Sequence, residues 1–220
     1  MLKIENLSYK HKNSSDDILK HLNAHFQAGK LNAIFGSSYR EKATLLSIMA
    51  GLDAPSQGTI TFCGADLAEV DLTRYRREHI AMVFQASHLF SFLNALENVC
   101  YPMEQSGIEK HAARRKAAEL LESVGISDDR HKRYPSKLSK GEQQRIAIAR
   151  ALATGARVIL AEEPTGNLDA ANGEAVMKIL RHLAHHQGCC VIIVTQNLDI
   201  AKASDVLYRM SDGMMRQSML

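Results

Sequence analysis

Long apolar runs are missing from this chain. No stretch approaches the roughly 18 consecutive apolar residues of a membrane-spanning helix, which excludes a helical span. An excess of charge of one sign is missing as well. There are 27 Lys and Arg against 24 Asp and Glu, a formal net charge of +3, so no global field argues for nucleic acid. Cysteines are few: Cys63 and Cys100 stand alone, and Cys189 and Cys190 are adjacent. Neither a disulfide framework nor a metal-ligand spacing emerges, and reduced thiols of a cytosolic protein are expected. The opening MLKIENLSYK alternates and brings in polar residues early, so it does not read as a secretory signal. Internal repeats and low-complexity segments are also absent. What remains is ordinary globular material: 220 residues, 45% hydrophobic and 23% charged, enough for one large domain or a core with a small subdomain.

Periodicity orders the chain. Leu2–Tyr9 alternates as a half-buried strand does, residues 11–17 are polar and turn-like, and Ile18–Phe26 alternates again. Gly29 and Lys30 turn the chain into an apolar strand, Leu31–Phe35, and the three strands are expected to share one mixed sheet. A helix is expected over Lys42–Ala50, stopped by Gly51. Thr59–Phe62 reads as a strand, Leu72–Glu78 as a short Arg-rich helix and Ile80–Phe84 as a strand. From residue 86 to about 145 helical patterns dominate, at Ala95–Met103 and Lys110–Val124, and read as an inserted helical subdomain. A helix over Gly141–Ala153, a strand at Arg157–Ala161, a helix over Ala171–His186 and a strand at Val191–Thr195 follow. Their apolar runs without alternation suit the interior of a parallel sheet. Asp205–Met210 and a turn at Gly213 close the chain. The fold class is therefore α/β.

Three stretches carry the chemistry. LNAIFGSSYREKATLL, residues 31–46, runs strand to loop to helix, the setting of a phosphate-binding loop. Gly36 and Lys42 keep the required spacing, while Glu41 stands at the second glycine and Ala43 at the hydroxyl position. LSKGEQQR, residues 138–145, places Ser139 as an N-cap on a helix whose start attracts anions; taken by itself, an ordinary capped helix is the favoured reading. VILAEEPTGNLD, residues 158–169, ends a strand in Glu162 and Glu163, at the strand end where open α/β sheets take ligands. One carboxylate there suits Mg²⁺ and the other suits taking a proton from water. Two solvated acids in a surface turn are the plain alternative.

Together these stretches resemble the nucleotide-binding subunit of ABC transporters over essentially the whole chain. LSKGEQQRIAIARAL is similar to the family signature, VILAEEPTGNLD to its Walker B strand, catalytic glutamate and D-loop, Phe84-Gln85 to its Q-loop, and VIIVTQ to its H-loop strand. The PTGNLD, RREHIAMVFQ and LNALENV runs most resemble the branch serving lipoprotein release, macrolide export and peptide-antibiotic resistance. The resemblance implies a P-loop NTPase-type core with a mixed sheet, an N-terminal antiparallel β subdomain and an inserted helical subdomain. It implies one nucleotide-binding domain over 1–220, with a core of 1–85 and 146–220. It implies ATP and Mg²⁺ as cofactors, a membrane-spanning permease subunit and a second ATP-binding subunit as partners, either identical or different, and a place on the cytoplasmic face of the cell membrane.

The resemblance also assigns roles. Tyr9 stacks on adenine. Gly36, Ser37, Ser38, Tyr39, Arg40, Glu41, Lys42, Ala43 and Thr44 form the phosphate loop. Ser139, Gly141 and Asp169 meet the partner's nucleotide, Glu162 and Gln85 serve the metal, and Glu163 and Gln196 join Gln85 in catalysis. The departures bear on each role. Tyr39 and Glu41 replace glycines, and if φ stays positive there each adds roughly 1–2 kcal/mol of strain. Glu41 brings a negative charge toward phosphate. Ala43 has no oxygen for Mg²⁺. Glu162 is longer than the family's aspartate. Gln196 replaces a histidine and carries no proton near neutral pH. Lys140 replaces the first signature glycine. These losses predict weakened ATP binding and slow or absent hydrolysis. Two readings stay open, an energy-coupling ATPase subunit and a degenerate subunit with a structural or regulatory role. A DNA-repair ATPase of the same family needs a coiled-coil insertion for which the chain has no room. Of His182, His185 and His186, the pair His182 and His186 shares one helix face but lacks a third zinc ligand nearby, and the basic runs at Arg74–Arg77 and Lys110–Lys116 read as solvated helix faces. The apolar segment His88–Leu96 is read either as local core or as the seat of the membrane subunit.

Overall fold

The computed structural model describes residues 1–11 and 16–218, so the expected turn at 11–17 lies largely outside the described residues. The chain runs β1 (Leu2–Tyr9), β2 (Leu19–Phe26), β3 (Leu31–Phe35), α1 (Tyr39–Met49), β4 (Gln57–Phe62), β5 (Ala65–Asp66), α2 (Leu72–Glu78) and β6 (Ile80–Val83). It continues through α3 (Ala95–Gln105), α4 (Lys110–Ser123), α5 (Asp128–His131), a 3₁₀ turn (Pro135–Lys137), α6 (Lys140–Leu152), β7 (Val158–Glu162), α7 (Ala170–His185), β8 (Cys190–Thr195), α8 (Leu198–Lys202), β9 (Val206–Ser211) and β10 (Met214–Ser218). The expectation of a mixed α/β fold with an antiparallel N-terminal sheet holds.

One expectation is corrected. β3 does not join β1 and β2. The strands form two sheets, one of order β2-β1-β4-β5 and one of order β10-β9-β3-β8-β7-β6. The first is antiparallel, and the second is parallel except for β10 on β9. The reason is burial on both faces. β3 and β8 are apolar without alternation and take the interior of the parallel sheet, whereas β1 and β2 alternate and cover one side of it.

Two core clusters separate the layers. Ile34, Leu160, Ile192 and Val194 point to the side of the antiparallel sheet, where Leu45, Leu46, Ile48 and Met49 of α1 fill the space beside Leu2, Ile4 and Phe26. Leu31, Ile159, Val191 and Ile193 point the other way, onto Val99 of α3, Leu121 of α4, Ile146 and Ile148 of α6 and Leu180 of α7. Cys190 opens β8, one residue before the expected start, and both it and Cys189 are buried. The helix α6 runs unbroken through residues 145 and 146, where the sequence suggested a subdomain boundary.

Register places the site. Phe35 lies opposite Thr195, and Glu162 opposite Val194. The residues that follow each strand, Gly36, Glu163 and Gln196, therefore emerge together at the carboxyl edge of the sheet, where α/β proteins bind ligands.

Candidate functional site

The loop from β3 to α1 is shorter than a phosphate loop of the expected kind. Gly36 donates its N–H to the Thr195 carbonyl at 3.2 Å. A Cβ on Gly36 would come within 2.7 Å of the Met210 carbonyl oxygen, so this close crossing of β9 needs glycine. Ser38 then caps α1, its side chain accepting the Glu41 N–H at 3.3 Å. The helix begins at Tyr39 and not at Lys42, so Tyr39, Arg40 and Glu41 are helical rather than looped. Neither Tyr39 nor Glu41 is among the non-glycine residues with positive φ, and the conditional strain considered for these two positions does not arise. A residue with a Cβ prefers the right-handed helix, and the Ser38 cap supplies its start. The consequence is chemical. The Glu41 N–H is turned toward Ser38 and away from any ligand. Tyr39 is exposed, and one Glu41 carboxylate oxygen, Oε2, is buried without a partner.

Lys42 lies one turn into α1 and is almost wholly buried, 1% exposed. Its Nζ is 2.7 Å from Oε1 of Glu163. Glu163 follows β7 with φ of 40°, an uncommon backbone state for a non-glycine residue, held by its N–H to the Val194 carbonyl at 2.9 Å. Its carboxylate is fully engaged: Oε1 also accepts the Gln196 backbone N–H at 2.7 Å, and Oε2 accepts the Thr195 hydroxyl at 2.9 Å. The Gln196 side chain donates to the Ser37 carbonyl at 3.2 Å. Lys42, Ser37, Glu163 and Gln196 thus form one network. Thr195 completes it, a role its residue type does not announce; its place just before Gln196 is the only signal in the sequence.

Glu162 ends β7 half-buried, with Oε1 unpartnered. Burial pushes its carboxyl above the usual carboxylate range, Lys42 pulls it down and the neighbouring Glu163 pushes it up again; the net direction is upward. The free oxygen leaves Glu162 an acceptor to offer a cation, while the upward displacement favours its neutral form and works against that role. Gln85 lies on the neighbouring turn, its Nε2 donating to Asn167 at 3.1 Å, and a Cβ on Gly166 would press to 2.9 Å of that nitrogen. Ala43 supplies no oxygen. Among the described residues no group of three or more His, Cys, Asp or Glu is placed to hold a metal, so a Mg²⁺ here would depend chiefly on ligands brought by a nucleotide. His182 and His186 stack on each other at 4.9 Å between ring centroids.

The other assigned residues form a second locus. Ser139 caps α6 in a reciprocal box with Glu142. Gly141 faces Asn172, whose Oδ1 a Cβ would meet at 2.0 Å. Asn172 in turn is fixed by Asp169, which caps α7 and accepts both the backbone and side-chain N–H groups of Asn172 at 2.9 and 2.7 Å. Those hydrogen bonds hold the Asp169 carboxyl below its usual range. Asn172 therefore joins Ser139, Gly141 and Asp169 into one surface, a link that residue-type reasoning missed. Tyr9 stays apart, set edge-on to His11 at 5.3 Å. The segment after Gln85 exposes Phe92, 73% accessible, while Asn98 ties the same loop down from α3 by accepting the Phe90 N–H and donating to the Phe90, Leu93 and Asn94 carbonyls.

Comparison with known proteins bears on this arrangement. The family model described as "ABC transporter" matches residues 19–166. YclH of Bacillus subtilis (strain 168), an uncharacterized ABC transporter ATP-binding protein, is 37% identical over 97% of this chain and 94% of its own length. The macrolide export ATP-binding/permease protein MacB of Escherichia coli (strain K12) is 42% identical over 90% of this chain, but the match spans only 31% of MacB. Among solved structures, the dimeric ATP-binding cassette MJ0796 bound to ADP and Pi superimposes with a TM-score of 0.89 at 33% identity, covering 100% of this chain and 99% of that one. The protein cbiO1 from Clostridium perfringens, part of the transporter complex cbiONQ, gives the same TM-score at 28% identity over 99% of this chain and 87% of its own.

Proposed function

The chain belongs to the ABC transporter family as an ATP-binding subunit, and from that premise we propose that it holds ATP weakly and hydrolyses it slowly or not at all. Cassettes of this family dimerise, associate with membrane permease subunits and bind ATP with Mg²⁺. Among the described residues no helix is long and apolar enough to cross a membrane, so the span belongs to a partner or to another segment. We place the chain on the cytoplasmic face of the membrane, against such a permease, and the permease selects the substrate. The domain division offered is a core of 1–85 and 146–220 with a helical insertion between. A purely regulatory subunit without turnover is the second reading, favoured by the missing oxygen at Ala43.

The buried pair between Lys42 and Glu163 carries the proposal. Lys42 is the one cation of the loop stretch that the fold buries at the phosphate side, and its charge is already spent on the group assigned to activate water. ATP must displace that carboxylate to reach Nζ. Removing one member of a buried ion pair costs roughly 3–5 kcal/mol unless a new partner replaces it, so part of the phosphate's binding energy is consumed in the exchange. When freed, Glu163 is positioned to orient water and take its proton, and Gln196 can donate a hydrogen bond to phosphate but not shuttle a proton. Glu162 and Gln85 are assigned to the metal that neutralises the phosphates. Tyr9 is assigned to the base, and Ser139, Gly141 and Asp169 to the facing nucleotide of a dimer. Phosphoryl transfer is mainly positioning and charge stabilisation, and each lost stabilising group costs about 10²–10³ in rate.

The test is phosphate release from the purified chain reconstituted with its permease. The expected turnover lies well below about one per second, the foot of the ordinary enzyme range. A turnover near that value overturns the proposal.

A further inference from the structure

Away from the carboxyl edge of the sheet, α4, α6 and α7 line an open cavity of about 450 Å³ that the nucleotide reading does not use. Its size lies in the range of small-molecule sites. The floor is apolar, built from Val124, Leu152, Ile179 and Leu183. Three basic side chains, Arg145, Lys178 and His182, share the lining, and no Asp or Glu is part of it. Lys178 and His182 stand one helical turn apart on α7, on the same face, and both are exposed. Arg145 comes from α6. Its Nη1 makes one long bond, 3.4 Å, to Asn172, and its Nε is buried with no partner. A buried guanidinium donor without an acceptor is costly, so Arg145 is the least satisfied of the three basic side chains in the lining.

Two features at the rim do not repel an anion. The carbonyl end of α4 is closed, because the Ser123 hydroxyl and the backbone N–H groups of Val124, Gly125 and Ile126 occupy the Leu120, Leu121 and Glu122 carbonyls. The one acid close by in sequence on α7, Glu174, is paired with Arg181. The cavity therefore combines an apolar floor with three basic side chains at one side, of which Arg145 also lies within electrostatic reach of Glu142 on the same helix.

We propose that this cavity binds a small amphipathic anion of the fatty-acid class, a carboxylate head on a linear apolar tail. The head pairs with Arg145 and Lys178, the carboxylate accepting from the guanidinium and ammonium groups. The tail lies on Val124, Leu152, Ile179 and Leu183. A compact inorganic anion would leave that floor in water, and a neutral hydrocarbon would leave Arg145 unpaired. Because Arg145 is one hydrogen bond from Asn172, the site sits directly behind the surface formed by Ser139, Gly141 and Asp169.

Calorimetric titration of the full chain with decanoate, below its micelle concentration, tests this without any nucleotide. The comparison ligands are decyltrimethylammonium, with the same tail and opposite charge, and acetate, the head alone. Saturable one-to-one binding of decanoate is expected, at least tenfold tighter than either. Lys178→Glu, at an exposed position that leaves the core intact, is expected to weaken decanoate at least tenfold. Ala175→Phe, which fills the cavity and leaves the charges in place, is expected to abolish binding, with unchanged circular dichroism as the check on folding. Absence of saturable decanoate binding, equal binding of the cationic or headgroup-only ligand, or an unchanged affinity in Lys178→Glu overturns the proposal.

Discussion

Glu41 keeps one carboxylate oxygen buried and unpartnered at the start of α1, where a helix otherwise welcomes an incoming anion. Its charge stabilises the helix dipole in the empty chain and opposes phosphate in the loaded one. Ala43, two positions on, has no oxygen to add. Restoring both, Glu41→Gly with Ala43→Ser, is expected to raise ATP affinity at least tenfold in a thermal-shift titration. It is also expected to make that affinity Mg²⁺-dependent, while the wild-type chain responds to ATP almost equally with and without the metal. An unchanged affinity in the double variant would show that the loop is not the limiting defect. Glu162 yields a prediction in pH. Its carboxyl is pushed upward by burial, so the folded chain binds its proton more tightly than the unfolded chain does. Its contribution to stability is then greatest below the ordinary carboxylate pKa and falls as pH rises through the displaced one. Glu162→Gln removes that penalty. The variant is expected to show a higher denaturation midpoint than wild type at pH 7, with the gap closing as pH approaches about 4. A variant less stable than wild type at neutral pH would contradict the assignment.

Asn98 shows how one buried side chain on a helix governs a loop. It accepts one N–H and donates toward three carbonyls between Phe90 and Asn94, and α3 begins there with a reciprocal box between Asn94 and Glu97. Asn98→Ala leaves those backbone groups to water. It is expected to cost about 2 kcal/mol or more and to speed amide exchange selectively at residues 90–94, measured by hydrogen exchange. Uniform exchange across the chain would mean that the loop is not tied locally. Elements with strong periodicity were legible in the sequence: β3 and α2 end where the pattern puts them, and α3, α4, α6, α7 and β8 differ by a residue or two. The start of α1 was not read, although its signal was present. Ser38 and Glu41 stand in the same S-x-x-E spacing that begins α6 at Ser139 and Glu142, and the same residues also fall within the spacing of a phosphate loop, which places the helix start three residues later. The split into two sheets was not legible because pairing is decided by which faces are buried, a tertiary fact. The short helices α5 and α8, and the edge strand β10, carry too few residues for a period to show. At the site, residue types gave Lys42, Glu163 and Gln196, but not that the first two are bound to each other. That pairing depends on the register of β7 against β8 and on the backbone turn at Glu163.

At the scale of the whole molecule, nucleotide and self-association are linked. A ligand shared by two copies drives them together only by the difference between its affinities for the dimer and for the separate chains. Under the proposed function, the terms that would make that difference large are reduced on both faces. The Lys42 charge is engaged by Glu163, the Glu41 N–H is engaged by Ser38, and Lys140 sets a long charged side chain at the start of α6 beside Gly141. A ligand at 100 times its dissociation constant contributes about 2.7 kcal/mol, and one near its dissociation constant contributes well under 1 kcal/mol. The isolated chain with millimolar ATP and Mg²⁺ is therefore expected to remain monomeric in light scattering after gel filtration. The Glu41→Gly, Ala43→Ser variant is expected to shift toward dimer under the same conditions. Lys140→Gly added to that pair separates the two faces: further dimerisation assigns a steric cost to Lys140, and a loss of dimer assigns it an attractive role toward phosphate. A wild-type chain that dimerises firmly with ATP would mean that the Lys42–Glu163 pair yields easily, and the weak grip on nucleotide would have to be abandoned.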